Sequence, residues 1–238
     1  MELSRLWSLS HVALSASGGA NADGARRART VAIVIWDGAE ILDWAGPAEV
    51  FETAGRLGAH GGAAVLEVYT VSRTTEPITS QRCIRVIPGF SIEDAPAPDI
   101  VVLPGGGTDA ALNDPELVRW VGRVAGEAEV ALSVCTGAFL LGEAGLLDGK
   151  DVTTWYGETD LLAARFPKAR VHDGRRFIDS GSVVTTAGVS AGIDGALHVV
   201  ARLLGRDLAD RTAAYMEYRW TPEPYLTKSY AADARREP

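Results

Sequence analysis

Three near-continuous apolar runs, at residues 30–36, 100–103 and 130–134, restrict the fold of this chain more than any other feature. A strand with one face in water alternates apolar and polar residues. A run that is apolar at almost every position needs cover on both faces, as in a parallel sheet sandwiched between helices. The segments between the runs supply that cover. Helices are expected over residues 46–56, with Pro47 in the first turn, and over 115–125, where Asp114-Pro115-Glu116 reads as an N-cap followed by an N1 proline. Others are expected over 136–144 (closed by Gly145), 158–166, 189–204 and 208–218. Further strands fall at 65–72 and near Val152, with hairpin-like pieces at 78–88 and a hairpin over 177–186 turning at Ser180-Gly181. The alternation predicts an α/β fold, a single-domain sandwich with a mostly parallel sheet and right-handed crossovers. With 238 residues the economical division is one domain over 30–226, an extension over 1–29 and a tail over 227–238.

The net charge of −8 argues against a nucleic-acid surface, which needs an excess of Lys and Arg. No 18-residue apolar window is present, so a membrane span is not expected. Two cysteines and four unclustered histidines offer no metal-ligand spacing, and no metal or cofactor is expected. Residues 6–14 are mildly apolar behind Arg5, and Ala20-Asn21-Ala22 has the form of a signal-peptidase site. Ser8, Ser10 and His11 interrupt that stretch, so the expected location is cytoplasmic; secretion or a periplasmic location follows only if residues 1–22 act as a signal.

In open parallel sheets, ligands bind beyond the carboxyl ends of the strands. Three features end up there. Ser133-Val134-Cys135-Thr136-Gly137 passes from strand to helix, the setting of a nucleophile elbow, and a helix N-terminus beside the sulfur is expected to favour thiolate. The plainer alternative is a buried structural cysteine, which is the reading for Cys83. Gly105, Gly106 and Gly107 follow the preceding apolar run and, with the Thr136 N–H, could line an anion-stabilising pocket; alone they are an ordinary loop. Asp37, Glu40 and Asp43 follow the first run. A carboxyl group reaching Cys135 there would be desolvated and share a proton with the thiol; the plainer alternative is that Glu40 and Asp43 cap the helix. The residues alone do not choose among the three.

The chain resembles the DJ-1/PfpI superfamily, and within it the isonitrile (isocyanide) hydratases and the related domains of certain transcriptional regulators. The resemblance rests on residues 42–51 (LDWAGPAEVF), 103–107 (LPGGG), 133–138 (SVCTGA), 144–150 (AGLLDGK), 191–194 (AGID) and Met216-Glu217-Tyr218 leading into Pro222 and Pro224. It implies a flavodoxin-like fold related to class I glutamine amidotransferases, a homodimer and a small-molecule substrate. It places the family's characteristic acid on Asp43, the nucleophile on Cys135 and the adjoining threonine on Thr136, with Gly105, Gly106 and Gly107 lining the site. The regulators append a helix-turn-helix pair, for which a chain ending at Pro238 leaves no room, so a regulator is not expected.

One position departs from the pattern. Many superfamily members carry a histidine in a Thr-Thr-His-Trp context, where this chain has Thr153-Thr154-Trp155-Tyr156, so Trp155 takes the place of the usual base. A Cys–His hydrolase is thereby disfavoured. The resemblance implies hydration of an isocyanide to an N-substituted formamide by Cys135 and Asp43, with Thr136 holding the acid or a water and Trp155 on the substrate side. The alternatives are a glyoxalase-like or deglycase-like reaction and a non-catalytic, redox-sensing or ligand-binding protein.

Overall fold

The computed structural model describes residues 27–59 and 62–221. The readings of residues 1–22 and of the tail from 227 lie outside them. The first half of the described chain runs β1 (Arg29–Val34), α1 (Ile41–Leu57), β2 (Leu66–Ser72), β3 (Ile78–Ser80), β4 (Ile84–Val86), β5 (Phe90–Ser91), β6 (Ile100–Leu103), α2 (Thr108–Leu112), α3 (Pro115–Glu127), β7 (Val130–Val134) and α4 (Ala138–Glu143). The second half comprises β8 (Asp151–Val152), α5 (Thr159–Arg165), β9 (Arg170–Val171), β10 (Phe177–Asp179), β11 (Val183–Thr186), α6 (Ala191–Leu204) and α7 (Arg206–Tyr215).

Seven strands form one sheet in the order β10-β11-β7-β6-β1-β2-β5. Every neighbouring pair is parallel except β10–β11, the expected hairpin. The first apolar run explains itself: Ala32, Val34 and Trp36 enter one core, with Trp120, Val121, Phe139 and Leu140 of α3 and α4, while Val31, Ile33 and Ile35 enter the other, with Val50 and Phe51 of α1 and Leu197 of α6. Neither face of β1 meets water, so neither face needs a polar residue. The registers Leu103↔Ser133 and Thr186↔Val134 bring the carboxyl ends of β6, β7 and β11 level. The loops that follow them must therefore meet.

Asp114 caps α3 as expected, accepting the N–H groups of Glu116 at 3.0 Å and Leu117 at 3.1 Å. Three boundaries differ from expectation. The helix α1 starts at Ile41, so Pro47 lies inside it and not in its first turn; its ring only removes the N–H that would have reached the Asp43 carbonyl. The helix α6 starts at Ala191 because Val189 takes a left-handed φ of 53°, which no α-helix contains. The last helix lies two to three residues earlier than expected, at Arg206–Tyr215. The strand β5 and the helix α2, two and five residues long, are too short to leave a periodic signal.

Glycine substitutions separate the constraints of the site from those of the frame. A Cβ on Gly137 would collide with the carbonyl oxygens of Leu103 and Pro104, whereas a Cβ on Gly126 in α3 meets nothing within 4 Å. Urea unfolding should therefore show Gly137→Ala losing about 2–3 kcal/mol. Gly126→Ala should gain about 0.5 kcal/mol through a less flexible unfolded chain.

Candidate functional site

Cys135 is the first residue after β7 and has a φ of 56°. A non-glycine residue in this region costs about 1–3 kcal/mol and persists only where its surroundings fix it. Here its N–H donates to the Ala187 carbonyl at 3.1 Å, and its own carbonyl accepts from Thr154 Oγ1 at 2.7 Å. A single 3-10 turn, Cys135–Gly137, then leads into α4. This is the strand-to-helix elbow that the sequence predicts.

Among the three carboxylates left open by the sequence, the structure brings Asp43 to the cysteine. It lies in the first turn of α1 and is completely buried. Its Oδ2 accepts the Gly105 N–H at 2.8 Å. Its Oδ1 has no partner in hydrogen-bonding geometry, although the Val189 N–H and the Cys135 thiol both act on the carboxyl and favour its charged form. Asp37 faces the β3–β4 hairpin, accepting the Thr79 N–H at 2.7 Å. Glu40 is the N-cap residue of α1 but makes no side-chain cap bond; it accepts from Gln81 Nε2 instead.

Burial pushes the Asp43 carboxyl up to about 7, opposed by the Gly105 N–H and helped by the charge of Glu40. Burial also pushes the Cys135 thiol up to about 12, with the charge of Asp43 adding to it and the Thr136 N–H and hydroxyl opposing. This corrects the thiolate expectation. The donors at the start of a short helix favour the anion, but desolvation and an adjacent carboxylate outweigh them. Both causes favour the protonated form of the sulfur, and Asp43 is the buried carboxyl group acting on it.

The glycine loop is engaged differently from an open anion cradle. The Gly105 N–H is spent on Asp43 and the Gly107 N–H on the Gly38 carbonyl at 2.8 Å, while Gly106 bridges to Ala39. The Gly105 carbonyl accepts the Glu40 N–H at 2.9 Å, so the loop is stitched to the residues that carry the acid. A Cβ on Gly105 would lie 2.6 Å from Thr136 Oγ1 and 2.8 Å from Cys135 Cβ, which is why glycine stands there. Thr136 does not reach Asp43; its hydroxyl is 2.6 Å from that of Thr108. Trp155 follows Thr154 and packs on Gly188 and Gly157, where added Cβ atoms would strike its ring. His172 and His198 pair with Asp151 at 2.6 Å and Asp179 at 2.7 Å, and neither is among the groups acting on Cys135.

Sequence reasoning missed Thr108, the left-handed Val189 and the anchoring Ala187. For Thr108 a signal existed, its place directly after the glycine run. Among the described residues no group of three or more His, Cys, Asp or Glu side chains is arranged to hold a metal ion, and no helix is long and apolar enough to cross a membrane.

Comparisons with known proteins agree with this fold. The DJ-1/PfpI family model matches residues 29–202. An isonitrile hydratase of Pseudomonas putida is 34% identical over 158 residues, 66% of this chain and 68% of that protein. The Parkinson disease protein 7 homolog of Danio rerio is 27% identical over 191 residues, 76% of this chain and 93% of that one. A crystal structure of a ThiJ/PfpI family protein from Pseudomonas syringae superposes with a TM-score of 0.73 at 25% identity, covering 87% of this chain and 84% of that one. An elbow cysteine, a buried acid and a doubly covered parallel sheet thus occur together in a chain that belongs to the DJ-1/PfpI family.

Proposed function

We propose that this protein is a cysteine-dependent hydratase of small molecules and that its reaction is the conversion of an isocyanide to an N-substituted formamide. The observation that carries this reading is the pairing of Cys135 with one buried carboxyl group, Asp43, pushed by burial up to about 7, with no histidine among the described residues acting on the thiol. The likeness to a protein named isonitrile hydratase supports the choice of substrate.

The chemistry needs a group that first removes a proton and then returns it. The Asp43 carboxylate takes the thiol proton as sulfur attacks the terminal isocyanide carbon, and the protonated acid delivers that proton to the same carbon, giving a thioimidate. Water then adds to the thioimidate carbon. Asp43 accepts one proton from that water and passes it to the nitrogen. As the C–S bond breaks, the remaining hydroxyl proton passes through Asp43 to sulfur, and R–NH–CHO leaves. The net change is the addition of one water molecule. A carboxyl that changes charge near pH 7 suits both directions of transfer, because the efficiency of a general acid–base group is greatest near the working pH. The sulfinate-sensor alternative is less well served, since oxidation favours an accessible thiolate and this thiol is buried and held protonated.

Three results check this reading. With cyclohexyl isocyanide, NMR should show N-cyclohexylformamide from the wild type and none above background from Cys135→Ala; equal formamide from both would remove the hydratase function. Asp43→Asn should lower turnover by about 10²-fold or more. The competent state is carboxylate plus thiol, so kcat/KM should fall as pH drops through about 7, where Asp43 becomes protonated, and should level off above it. A rate independent of pH between 5 and 8 would contradict the role of Asp43. Stability carries the opposite sign. The folded carboxyl keeps its proton to about 7 while the unfolded chain loses it near the ordinary 3.8, so the folded state binds the extra proton in that window. Urea unfolding of the wild type should therefore show stability declining from pH 4 to pH 7, by at most about 1.4 kcal/mol per pH unit. Asp43→Asn should lack that decline.

A further inference from the structure

Residues 187–190 join β11 to α6 and touch both halves of the site. The Ala187 carbonyl receives the Cys135 N–H at 3.1 Å, and the Val189 N–H acts on Asp43. Between them the backbone does something costly, because Val189 is β-branched and sits at φ 53°. Such a turn relaxes unless both ends are fixed; beside the Ala191 N–H to Gly188 and Gly192 N–H to Val189 backbone bonds, both 3.2 Å, Arg176 contributes at each end. The Arg176 carbonyl accepts the Ala187 N–H at 2.9 Å, while its Nη2 donates to Ser190 Oγ at 2.9 Å and its Nε to Asp194 Oδ2 at 2.5 Å. Tyr218 completes the group by donating to the same Asp194 oxygen at 3.1 Å. The Arg176 and Asp194 side chains are 13% and 3% exposed. Trp155 closes the turn from the other side by packing on Gly188.

We propose that Arg176, acting through Ser190 and Asp194, is a positioning residue that holds residues 187–190 in their left-handed turn and thereby keeps the Val189 N–H directed at Asp43. It is among neither the groups acting on the Cys135 sulfur nor those acting on the Asp43 carboxyl. Its effect reaches the site through one backbone donor, which favours the charged carboxylate. Without the bracket, the Val189 backbone relaxes toward negative φ, the peptide linking Gly188 to Val189 rotates, and that donor leaves the carboxyl. Besides this donor and that of Gly105, the groups acting on Asp43 are Glu40 from the start of α1 and Cys135 from the β7 turn. Neither depends on Arg176. This assignment deepens the acid role given to Asp43 above, but its test needs no turnover.

The measurement is the titration of the Asp43 carboxyl carbon by 13C NMR, its resonance identified by its loss in Asp43→Asn. Arg176→Gln should raise the midpoint by about one pH unit, a tenfold change in the ionisation constant, with Cys135 and Glu40 intact. Ser190→Ala removes only the tie to the turn and should raise it by a smaller amount in the same direction. If Arg176→Gln does not fold, as the loss of a buried pair can cause, Ser190→Ala decides alone. A folded Arg176→Gln, or a Ser190→Ala, that titrates with the wild type overturns the assignment, whatever the isocyanide assay gives.

Discussion

A sheet covered on both faces leaves its strands no room for polar side chains except at their ends, and this constraint organises the molecule. Every residue from Val31 to Ile35 is removed from water. The chain can therefore present chemistry only where β1, β6, β7 and β11 stop. Because those strands are parallel and in register, they stop together, and the four loops that follow are packed into one place. Asp43, Gly105, Cys135 and Val189 come from those four loops and the helix starts they lead into, and lie up to 146 positions apart in the sequence. Their meeting is a property of the sheet order more than of any local motif.

The same packing decides the proton inventory. A thiol at the start of a helix is commonly acidic, but here the sulfur is buried and its nearest charged partner is negative. The site consequently keeps one proton between two groups over a wide range above neutrality, in place of holding a preformed thiolate. This is what a histidine-free site requires if one carboxyl group is to serve as both acceptor and donor.

Much of this was legible beforehand, for physical reasons that can be named. The apolar runs are almost unbroken, so the strands and their double cover could be read. The elbow follows from a cysteine between a strand and small residues. The choice of Asp43 over Asp37 and Glu40 could not be read from the residues, because it depends on which carboxyl points under Gly105, and it came only with the family resemblance. The glycine run reads equally as an anion-lining pocket or an ordinary loop, and its amides at 105 and 107 are consumed in stitching loops together. Val189 looked like the first residue of a helix because hydrophobic periodicity is blind to the sign of φ. The ionisation of Cys135 was misjudged for a related reason: the sequence shows the helix that follows but not the depth at which the sulfur lies.

The indole of Trp155 lies against two residues that have no side chains, Gly157 and Gly188. These glycines and the tryptophan fit one another as a mould fits a casting. A histidine placed at 155 would fill only part of the space the indole occupies, leaving a gap beside the turn that carries Val189. Trading the indole for an imidazole is thus a move of several positions at once. Two side chains that look one substitution apart in sequence are separated in this fold by a packing barrier.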